Sequence, residues 1–313
     1  MRQLILFIFI VVLATAARAQ TATRTMAVTI DDLPYVRMSD APYLPSARTA
    51  TTKILSTLKK HNVPALGFVN EFQLDFGNQR DARIDLLRDW VKNGMMLGNH
   101  TYAHPDFNQL TVEQFEAQIE KGDVVTLQLM QSRRPYQLYF RHPMTHTGDT
   151  LEKKEAIEKF LAARGYKVTP HTIENSDFIF NVGYAQAVQK GDMALAKRLR
   201  DAYLELTFAA TEFAEKISPQ LFEREIPQIL LIHANDINAD CLDEMLHKFE
   251  QRGYKFVTLD KAMADPAYGT KDTYVNKYGP TWFVRWSKSK DLKLDFSGDP
   301  DPPKWVMDLY NAR

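Results

Sequence analysis

The sequence contains very little cysteine. Cys241 is the only cysteine among 313 residues, so the chain cannot form an internal disulfide. The fold must therefore rest on its hydrophobic core alone. A single cysteine outside any recognisable motif also gives no reason to expect a thiol nucleophile.

The sequence also lacks an excess of charge of either sign. Lysine and arginine total 39, and aspartate and glutamate total 39. This balance leaves no global field that would attract nucleic acid or an anionic membrane surface. We therefore expect no nucleic-acid partner, while the oligomeric state stays open.

Long hydrophobic runs are scarce, and the longest stands near the first residue. Arg2 precedes an apolar run from residue 4 to residue 13, and Ala17-Arg18-Ala19 follows it with the small-x-small pattern of a signal-peptidase site. We predict a signal peptide over residues 1–19 and export to the periplasm or secretion. An uncleaved anchor is the alternative, although the run is shorter than the ~20 residues of a bilayer span. No later stretch is long enough to span a membrane.

From Met26 onward, short apolar runs alternate with longer amphipathic runs. This alternation predicts an α/β fold of repeated strand–helix units with mostly parallel strands. We expect one catalytic domain over residues 20–264, with a helical insertion at about 185–216 and a C-terminal extension, 265–313, packed on the domain. The seven strand candidates are residues 27–30, 65–69, 95–98, 137–140, 167–169, 229–232 and 255–258.

Helical patterns lie between these strands. They cover residues 53–60, 113–131 and 151–164, and Thr111 with Gln114 forms a capping box before the second. Gly165 and Gly253 each follow an arginine and precede Tyr-Lys at the end of a charged run. Glycine there suits the left-handed residue that ends a helix before the chain enters a strand.

Two adjacent carboxylates end the first strand candidate. The apolar run leads directly into Asp31 and Asp32, and Pro34 then stops the strand because it cannot donate a ladder hydrogen bond. Adjacent carboxylates repel each other unless a cation compensates or the environment separates their pKa values. The pair predicts either a functional site or a solvated turn after the strand.

Two histidines, His100 and His104, follow the third strand candidate. At a spacing of four, two imidazoles lie on one face of a helical turn and can converge on one ion. Two surface or packing histidines are the alternative. The zincin motif is excluded, because Thr101 stands where that motif has its glutamate.

Asp32, His100 and His104 together offer one carboxylate oxygen and two neutral nitrogens at the C-terminal ends of strands. Proteins with α/β folds place their sites at these strand ends. We predict that the three residues hold a divalent metal. Zinc is the expected ion, because it accepts this ligand set and lowers the pKa of bound water to ~7. Cobalt, iron, nickel and manganese remain open on ligand type.

Five segments with chemically distinctive residues occur in order along the chain. They are Thr29-Ile30-Asp31-Asp32, His100-Thr101-Tyr102-Ala103-His104, Arg141-His142-Pro143, Glu174-Asn175-Ser176-Asp177-Phe178 and Leu231-Ile232-His233. In this order they resemble the motifs of the NodB-homology polysaccharide deacetylases, also called carbohydrate esterase family 4. The resemblance spans about residues 26–259 and implies a distorted (β/α)7 barrel of the polysaccharide deacetylase type.

The resemblance implies roles for the first three motifs. Asp32, His100 and His104 would hold the metal, as their spacing alone also suggests. Asp31 would be the catalytic base that takes a proton from the attacking water. Arg141 would keep the Asp31 carboxylate ionised, since a nearby guanidinium favours its charged form.

The resemblance also implies roles for the later residues. His233 would donate a proton to the leaving nitrogen or oxygen, and Asp177 would fix its tautomer and keep it protonated. A backbone N–H near Met144, following Pro143, would stabilise the oxyanion formed on an acetyl carbonyl. Phe178 would line the substrate groove.

Three positions depart from the family pattern. The fourth motif begins with Glu174 in place of Asp and ends with Phe178 in place of the groove-lining Trp, and Met144 follows the third motif where Tyr or Gly is usual. The substrate surface is therefore expected to differ from that of chitin or peptidoglycan enzymes. Three further histidines near the motifs are interpreted as structural and not as ligands: His142, His146 and His171.

The resulting hypothesis is a metal-dependent hydrolase that removes N-acetyl or O-acetyl groups from an envelope or extracellular carbohydrate. Hydrolysis of another amide or ester bond at the same site is one alternative, and an inactive carbohydrate-binding relative is another. The presence of both Asp31 and His233 argues against the inactive relative. An iron oxygenase with two histidines and one carboxylate shares the ligand types but orders them differently along the chain.

Overall fold

The computed structural model describes residues 24–37 and 43–312 of the chain. The predicted signal peptide, residues 1–19, lies outside the described residues. Within the two described ranges, no helix is both long enough and apolar enough to cross a membrane.

One parallel sheet organises the described residues. Its strands are β1 (Thr25–Leu33), β2 (Leu66–Val69), β3 (Met96–Asn99), β4 (Leu138–Phe140), β5 (Tyr166–Val168), β6 (Ile173–Glu174), β7 (Gln228–His233) and β8 (Lys255–Phe256). Their order is β5-β4-β3-β2-β1-β7-β6, and β8 pairs with the first residues of β1. No pairing in the described part of the chain joins β5 to β6, so the curled sheet does not close into a complete barrel. The predicted distorted (β/α)7 fold class is confirmed.

The seven predicted strands are all present, with ends shifted by at most three residues. The additional strand β6 is only two residues long, which is too short to leave a periodic pattern in the sequence. The central strand β1 is buried along nearly its whole length, as a parallel strand covered on both faces should be. Its register aligns Asp31 with His233 of β7, so the first and fifth motifs are neighbours in the sheet.

Eleven α-helices belong to the described residues. They are α1 (Tyr43–Lys60), α2 (Arg80–Lys92), α3 (Val112–Lys121), α4 (Val124–Met130), α5 (Leu151–Ala163), α6 (Asp177–Lys190), α7 (Met193–Phe222), α8 (Asp236–Gln251), α9 (Leu259–Met263), α10 (Trp282–Ser289) and α11 (Lys304–Asn311). The capping box of Thr111 and Gln114 is confirmed at the start of α3. Gly165 and Gly253 have φ values of 77° and 83°, which confirms their predicted left-handed role.

The prediction of one continuous helix over residues 113–131 is wrong. The chain forms α3 and α4 instead, and Gly122 follows α3. A Cβ on Gly122 would lie 2.7 Å from the carbonyl carbon of Thr101 and 2.8 Å from the amide nitrogen of Tyr102. The break therefore lets the loop that carries the two motif histidines pack directly against the helix backbone.

The predicted helical insertion at 185–216 lies within two longer helices, α6 and α7. Residues on every side of α6 are buried, because α7, α8 and α11 all pack against it. A helix buried all round has no amphipathic stripe, which explains why the sequence pattern did not reveal its first two turns. The fourth motif consequently ends inside a helix, with Asp177 as its first residue.

The C-terminal residues pack onto the same hydrophobic core. Trp282 and Trp286 of α10 and Val306 of α11 are buried members of the main core cluster. Cys241 is also fully buried in this cluster, and burial raises the pKa of its thiol to about 12. A thiol in this setting stays protonated and does not act as a nucleophile.

Candidate active site

The first motif lies at the C-terminal end of β1. Asp31 is 2 % exposed, and its carbonyl oxygen accepts a hydrogen bond from the amide of Ala234, which follows β7. Asp32 has a φ of 62°, an unusual conformation for a residue other than glycine. This backbone conformation coincides with a shift in the register of β1 against β2 between Ile30 and Leu33.

The two motif histidines lie in an irregular loop after β3, not on a helical turn as their spacing predicted. Thr101 and His104 both have positive φ values, 65° and 53°. The side-chain amide of Asn70 donates a hydrogen bond of 2.6 Å to the carbonyl of His100, and the amide of Tyr102 donates to Gln118. These fixed backbone contacts, and not helical periodicity, make the two imidazoles converge.

The three predicted ligand residues come together at one point. The Nε2 atoms of His100 and His104 lie 3.5 and 3.6 Å from Oδ1 of Asp32. One potential ligand atom from each residue lies within 4.8 Å of the others, and no other group of three such residues occurs in the described part of the chain. Oδ1 of Asp32 is buried and has no hydrogen-bond partner there. A buried, unpaired carboxylate oxygen beside two imidazole nitrogens is what a divalent cation would satisfy.

His100 is oriented and protonated as a ligand should be. Its Nδ1 lies 2.7 Å from the carbonyl oxygen of Arg141, an acceptor that requires Nδ1 to carry the proton. The lone pair therefore sits on Nε2, the atom that faces Asp32. Burial lowers the pKa of His100 to about 4, although nearby Asp31 opposes this shift. The imidazole is neutral near pH 7, and the donor set fits a metal ion.

Asp31 lies beside this group and is bound by a buried guanidinium. Nη1 of Arg141 donates to both carboxylate oxygens of Asp31, at 3.2 and 3.4 Å, and Nη2 donates to the carbonyl of Pro170 at 3.1 Å. Arg141 is completely buried, and its guanidinium carbon lies 4.8 Å from the centroid of the Phe68 ring. Oδ2 of Asp31 is 3.8 Å from Nε2 of His100. The carboxylate is thus fixed next to the ligand atoms without being one of the three.

Asp177 and His233 form a second fixed pair. Nδ1 of His233 lies 2.6 Å from Oδ1 of Asp177, and the backbone amide of His233 donates to Oδ2 at 2.6 Å. The side-chain amide of Asn238 also donates to Oδ2. Burial by itself would lower the pKa of His233, but the Asp177 carboxylate outweighs it and raises the pKa to about 10. The imidazole is therefore protonated near pH 7, and its Nε2 is the nitrogen left to reach a substrate.

The third motif leads into a strained turn. Pro143 is buried at the start of a short 3-10 turn, Pro143–Thr145, in which Met144 and Thr145 have φ values of 53° and 51°. Met144 is 47 % exposed. Phe178 is half-buried, and its ring centroid lies 5.9 Å from that of His233.

Left-handed backbone conformations concentrate around these side chains. Nine non-glycine residues with positive φ occur in the described ranges, and six of them belong to the motif loops: Asp32, Thr101, His104, Met144, Thr145 and Ser176. Each such residue costs on the order of 1–3 kcal/mol and persists only where the surrounding structure enforces it. Strain of this kind is typical of functional sites.

Each of the five motifs contributes at least one residue to the lining of one cavity of about 510 Å³. Residues of the C-terminal extension complete its wall, and sequence reasoning did not include them among the site residues. The contributing extension residues are Gly279, Pro280, Thr281, Val284, Asp299 and Tyr310. The only local signal for this role was the Gly279-Pro280 dipeptide, which marks a turn but not its destination.

The extension touches the strained turn with no space between them. A Cβ on Gly279 would collide with the carbonyl oxygen of Met144 and the hydroxyl of Thr145. The same hydroxyl donates a hydrogen bond of 2.5 Å to the carbonyl of Gly279. Only a glycine allows the two backbones to approach this closely.

Arg285 holds the same turn from inside the extension. This side chain is fully buried, and Nη2 donates to the carbonyl of Thr145 at 2.5 Å, while Nη1 donates to the hydroxyl of Thr147 at 2.9 Å. Nη1 also donates to Asp272 at 3.1 Å, and Nε donates to the carbonyl of Pro280 at 3.2 Å. One guanidinium therefore joins the strained turn to the extension.

The remaining histidines stand outside the ligand group. His142 and His171 line the cavity but are buried, and burial lowers the pKa of each well below 6.5. The His142 ring stacks on Phe115 at a centroid distance of 5.8 Å. Nδ1 of His146 lies 2.8 Å from a carboxylate oxygen of Asp106. Each is engaged in packing or in a carboxylate contact.

Glu174, which replaces the usual Asp of the fourth motif, lies at the edge of the cavity. One carboxylate oxygen accepts a hydrogen bond of 2.8 Å from the amide of Ser176. Burial is the main cause that raises the pKa of Glu174 to about 7. This residue can therefore exist in either protonation state near neutral pH.

Comparison with known proteins finds one matching family and several similar proteins. Residues 18–157 match the family model described as polysaccharide deacetylase. An uncharacterised 30.6 kDa protein of Geobacillus stearothermophilus is 27 % identical over 225 residues, which are 72 % of this chain and 69 % of that protein. A chitin deacetylase of Arthroderma benhamiae is 30 % identical over 140 residues, and the match covers 45 % of this chain but only 33 % of that protein.

A solved structure shares the fold. The chitin deacetylase of Colletotrichum lindemuthianum aligns with a TM-score of 0.50 and 20 % sequence identity. The alignment covers 76 % of this chain and 86 % of that chain.

Proposed function

Because the chain belongs to the NodB-homology polysaccharide deacetylase family, whose members hydrolyse carbon–nitrogen or ester bonds, we propose that it removes N-acetyl or O-acetyl groups from an envelope or extracellular carbohydrate. One observation carries this proposal. A buried carboxylate, Asp31, and a protonated imidazole, His233, line the same cavity as the candidate metal ligands Asp32, His100 and His104. A base, an acid and an electrophile in this arrangement can together hydrolyse an acetyl group.

Asp32, His100 and His104 would hold the cation. Zinc suits two imidazoles and one carboxylate, and cobalt, iron, nickel and manganese fit the same donors. When bound, such an ion supplies Lewis-acid polarisation of the carbonyl and lowers the pKa of water.

Asp31 is the base in this proposal. Its carboxylate receives two hydrogen bonds from Arg141, which is itself fully buried and cannot give up its own proton. The guanidinium fixes the Asp31 carboxylate beside the ligand group, where it can accept a proton from the attacking water. Arg141 acts on the substrate only through Asp31, so it is a positioning residue.

His233 is the acid. The Asp177 carboxylate holds Nδ1 at 2.6 Å and raises the pKa of the imidazole to about 10, so a proton is available on Nε2 near pH 7. This proton passes to the nitrogen or oxygen that leaves the acetyl carbon. Asp177, anchored by Asn238 and by the amide of His233, fixes the direction in which the ring donates.

The turn Pro143–Thr145 would face the acetyl group. Its strained backbone at Met144 supports the assignment of an oxyanion-stabilising N–H in this segment. Phe178, beside His233, would form a wall of the sugar pocket. The predicted signal peptide supports a periplasmic or secreted location for an enzyme that acts on such a substrate.

Acetate release tests the proposal directly. Purified mature protein is analysed for metal and then incubated with acetylated glucosamine oligomers, peptidoglycan and acetylxylan, with and without a chelator. We expect release from at least one substrate that stops with the chelator and returns with added zinc. Failure of a verified metal-loaded sample to release acetate from all three substrates would refute the proposal.

Asp31→Asn separates catalysis from folding. We expect the rate to fall by about 10²–10⁴-fold, the usual value of a general base, while metal content stays unchanged because Asp31 is not among the three ligands. Asp85→Asn is the matched control, since it neutralises an exposed carboxylate on α2, whose side chain is 55 % exposed. Equal activity of Asp31→Asn and the control would exclude Asp31 as the base.

A further inference from the structure

A buried tyrosine of the long helix α7 lies behind the pair formed by Asp177 and His233. Tyr203 is completely buried, and its hydroxyl donates a hydrogen bond of 2.5 Å to Oδ1 of Asn238. Asn238 is the residue whose side-chain amide donates to Asp177. Tyr203 belongs to none of the five motifs and lies in the segment that was predicted as a helical insertion. A side chain outside the motifs therefore reaches the Asp177 carboxylate through one intermediate.

The side-chain amide of Asn238 fits its surroundings in only one orientation. Its Nδ2 faces Oδ2 of Asp177 and lies 2.9 Å from the carbonyl oxygen of His233. The ionised carboxylate and the carbonyl are both acceptors, so the amide nitrogen and not the amide oxygen must face them. Oδ1 of Asn238 consequently faces Tyr203 and requires a donor, which the tyrosine hydroxyl supplies.

The same reasoning fixes the next hydrogen bonds. Nδ2 of Asn175 lies 2.8 Å from Oη of Tyr203 and 3.1 Å from Oγ1 of Thr207. The Thr207 hydroxyl donates to the carbonyl of Tyr203 at 2.9 Å. Because each hydroxyl has only one hydrogen and both are already used, both oxygens must accept from Asn175. We call Asn175, Tyr203 and Asn238 the donor chain, since all its hydrogen bonds point toward Asp177.

The donor chain is buried and held by its neighbours. Its three side chains are at most 1 % exposed. The ring centroid of Phe180 lies 5.6 Å from that of Tyr203, and the backbone amide of Asn238 donates to Oδ1 of Asn235 at 3.0 Å. Burial, and after it the nearby Asp177 carboxylate, hold the pKa of Tyr203 well above 10, so the hydroxyl keeps its proton. Aligned hydrogen bonds in such an interior strengthen one another.

The outer end of the donor chain leaves one polar atom unpaired. Oδ1 of Asn175 is buried and has no hydrogen-bond partner among the described residues. An unpaired buried oxygen is costly, and in a native structure it calls for an explanation. The opposite orientation of the amide would place this oxygen against two hydroxyl oxygens that have no hydrogen left to donate. The orientation that is present keeps a donor on Tyr203.

We propose that Tyr203 is a positioning residue for the acid His233: through Asn238 it holds the Asp177 carboxylate in the orientation that meets the imidazole. Oδ2 of Asp177 accepts from Asn238 and from the backbone amide of His233, which leaves Oδ1 for Nδ1 of the ring at 2.6 Å. Loss of the tyrosine hydroxyl would release the oxygen of the Asn238 amide and loosen this arrangement. The inference rests on the proposed function and adds to it a residue of α7.

Tyr203→Phe tests the inference by removing only the hydroxyl group. We expect kcat for acetate release to fall by about tenfold, the lower end of the range for outer partners of metal ligands, which act in the same indirect way. KM should change little, because Tyr203 does not line the cavity. Zinc affinity should stay the same, because the donor chain ends on Asp177 and not on the three candidate ligands.

An NMR signal reports on the pair without turnover. The Nδ1–H proton of His233, assigned by its loss in His233→Gln, should resonate far downfield because its hydrogen bond is short and charge-assisted. In Tyr203→Phe we expect this signal to move upfield and to exchange faster with water. The alkaline limb of the kcat/KM profile should move about one pH unit lower. A merely structural role would lower stability and leave the signal and the pH profile in place.

Tyr254→Phe is the matched control. It removes another buried tyrosine hydroxyl, which donates to Glu215 of α7 at 2.8 Å, and Tyr254 does not line the cavity. We expect it to leave kcat and the His233 signal unchanged. Asn175→Ala is the second variant, and it decides if Tyr203→Phe does not fold. It removes the outer donor and should move the His233 signal in the same direction by a smaller amount.

A double-mutant cycle tests whether Tyr203 acts through Asn238. In the Asn238→Ala background, Tyr203→Phe should cause no further loss of kcat. Losses that multiply would overturn the inference, because they would show that the two residues act independently. An unchanged kcat and an unchanged His233 signal in Tyr203→Phe would overturn it as well.

The two readouts separate this inference from the proposed function. Acetate release by the unaltered protein, together with unchanged kinetics and an unchanged signal in Tyr203→Phe, would leave the function standing and exclude the positioning role. A displaced His233 signal in a protein that releases no acetate would support the positioning of the pair and exclude the function.

Discussion

Asp177→Asn should separate the charge of the Asp177 carboxylate from its shape. The substitution keeps a planar side chain of the same size but removes the negative charge that lies 2.6 Å from Nδ1 of His233. That charge is the largest of the causes that raise the pKa of His233 from 6.5 to about 10. The difference corresponds to a free energy on the order of 5 kcal/mol.

The loss of this charge should be visible in the pH dependence of the reaction. Burial lowers the pKa of His233, while the more distant Asp31 and Asp32 continue to raise it. We therefore expect the pKa of His233 in the variant to fall by about two pH units or more. Because the acid must be protonated, the alkaline limb of the kcat/KM profile should move to lower pH by the same amount.

The Asp177 carboxylate should also stabilise the folded protein, and this contribution should depend on pH. A histidine whose pKa rises on folding stabilises the folded state fully below its unfolded pKa of 6.5, and this contribution disappears as the pH rises through about 10. Asp177→Asn should therefore destabilise the protein more at pH 6 than at pH 10.5. Urea unfolding at the two pH values measures the difference.

The measurement that decides is an NMR titration of the His233 ring in both proteins, because it does not depend on turnover. A pKa that stays near 10 in Asp177→Asn would refute the assignment of Asp177 as its cause. Asp201→Asn provides the control, since it neutralises a carboxylate on α7 whose side chain is 62 % exposed.

Three further predictions concern the metal, the extension and the strained turn. In a thermal shift assay, zinc should raise the melting temperature of protein from which a chelator has removed the metal. His104→Ala, which removes one of the three proposed ligands, should abolish that increase. Arg285→Met should lower the free energy of unfolding by about 3 kcal/mol, which urea unfolding measures. This value is the lower end of the range for a broken buried pair, because Lys154 still pairs with Asp272 at 2.9 Å. Gly279→Ala should lower kcat more than it raises KM, because its Cβ displaces the turn at Met144; a variant with unchanged steady-state kinetics would contradict this coupling.

The candidate ligand set was predictable because its signals are local. Asp31 and Asp32 follow an apolar run without interruption, so wherever that strand lies, both carboxylates must stand at its end. The spacing of His100 and His104 correctly indicated that their imidazoles converge, but the helical turn predicted from that spacing was wrong. The imidazoles converge because the backbone is left-handed at Thr101 and His104. The sequence could not reveal this, because a helical turn would have the same spacing.

The cavity wall was not predictable in the same way. The hydroxyl of Thr145 contacts Gly279 across 134 residues, and no periodic pattern records a contact at that separation. From the sequence alone, Arg285 is a charged residue near the end of the chain and would be expected at the surface. In the structure its side chain is completely buried. Its burial depends on four acceptors that only the folded chain brings together.

The close approach of Gly279 to the strained turn has a consequence for how this chain can vary. Any larger residue at 279 requires a different backbone at Met144 and Thr145, so the two segments can change only as a pair. A chimera that takes its extension from one relative and its third motif from another should therefore fold with a displaced turn, even if each segment works in its parent. Covariation of positions 144, 145 and 279 across related sequences would be the evolutionary record of this single point of contact.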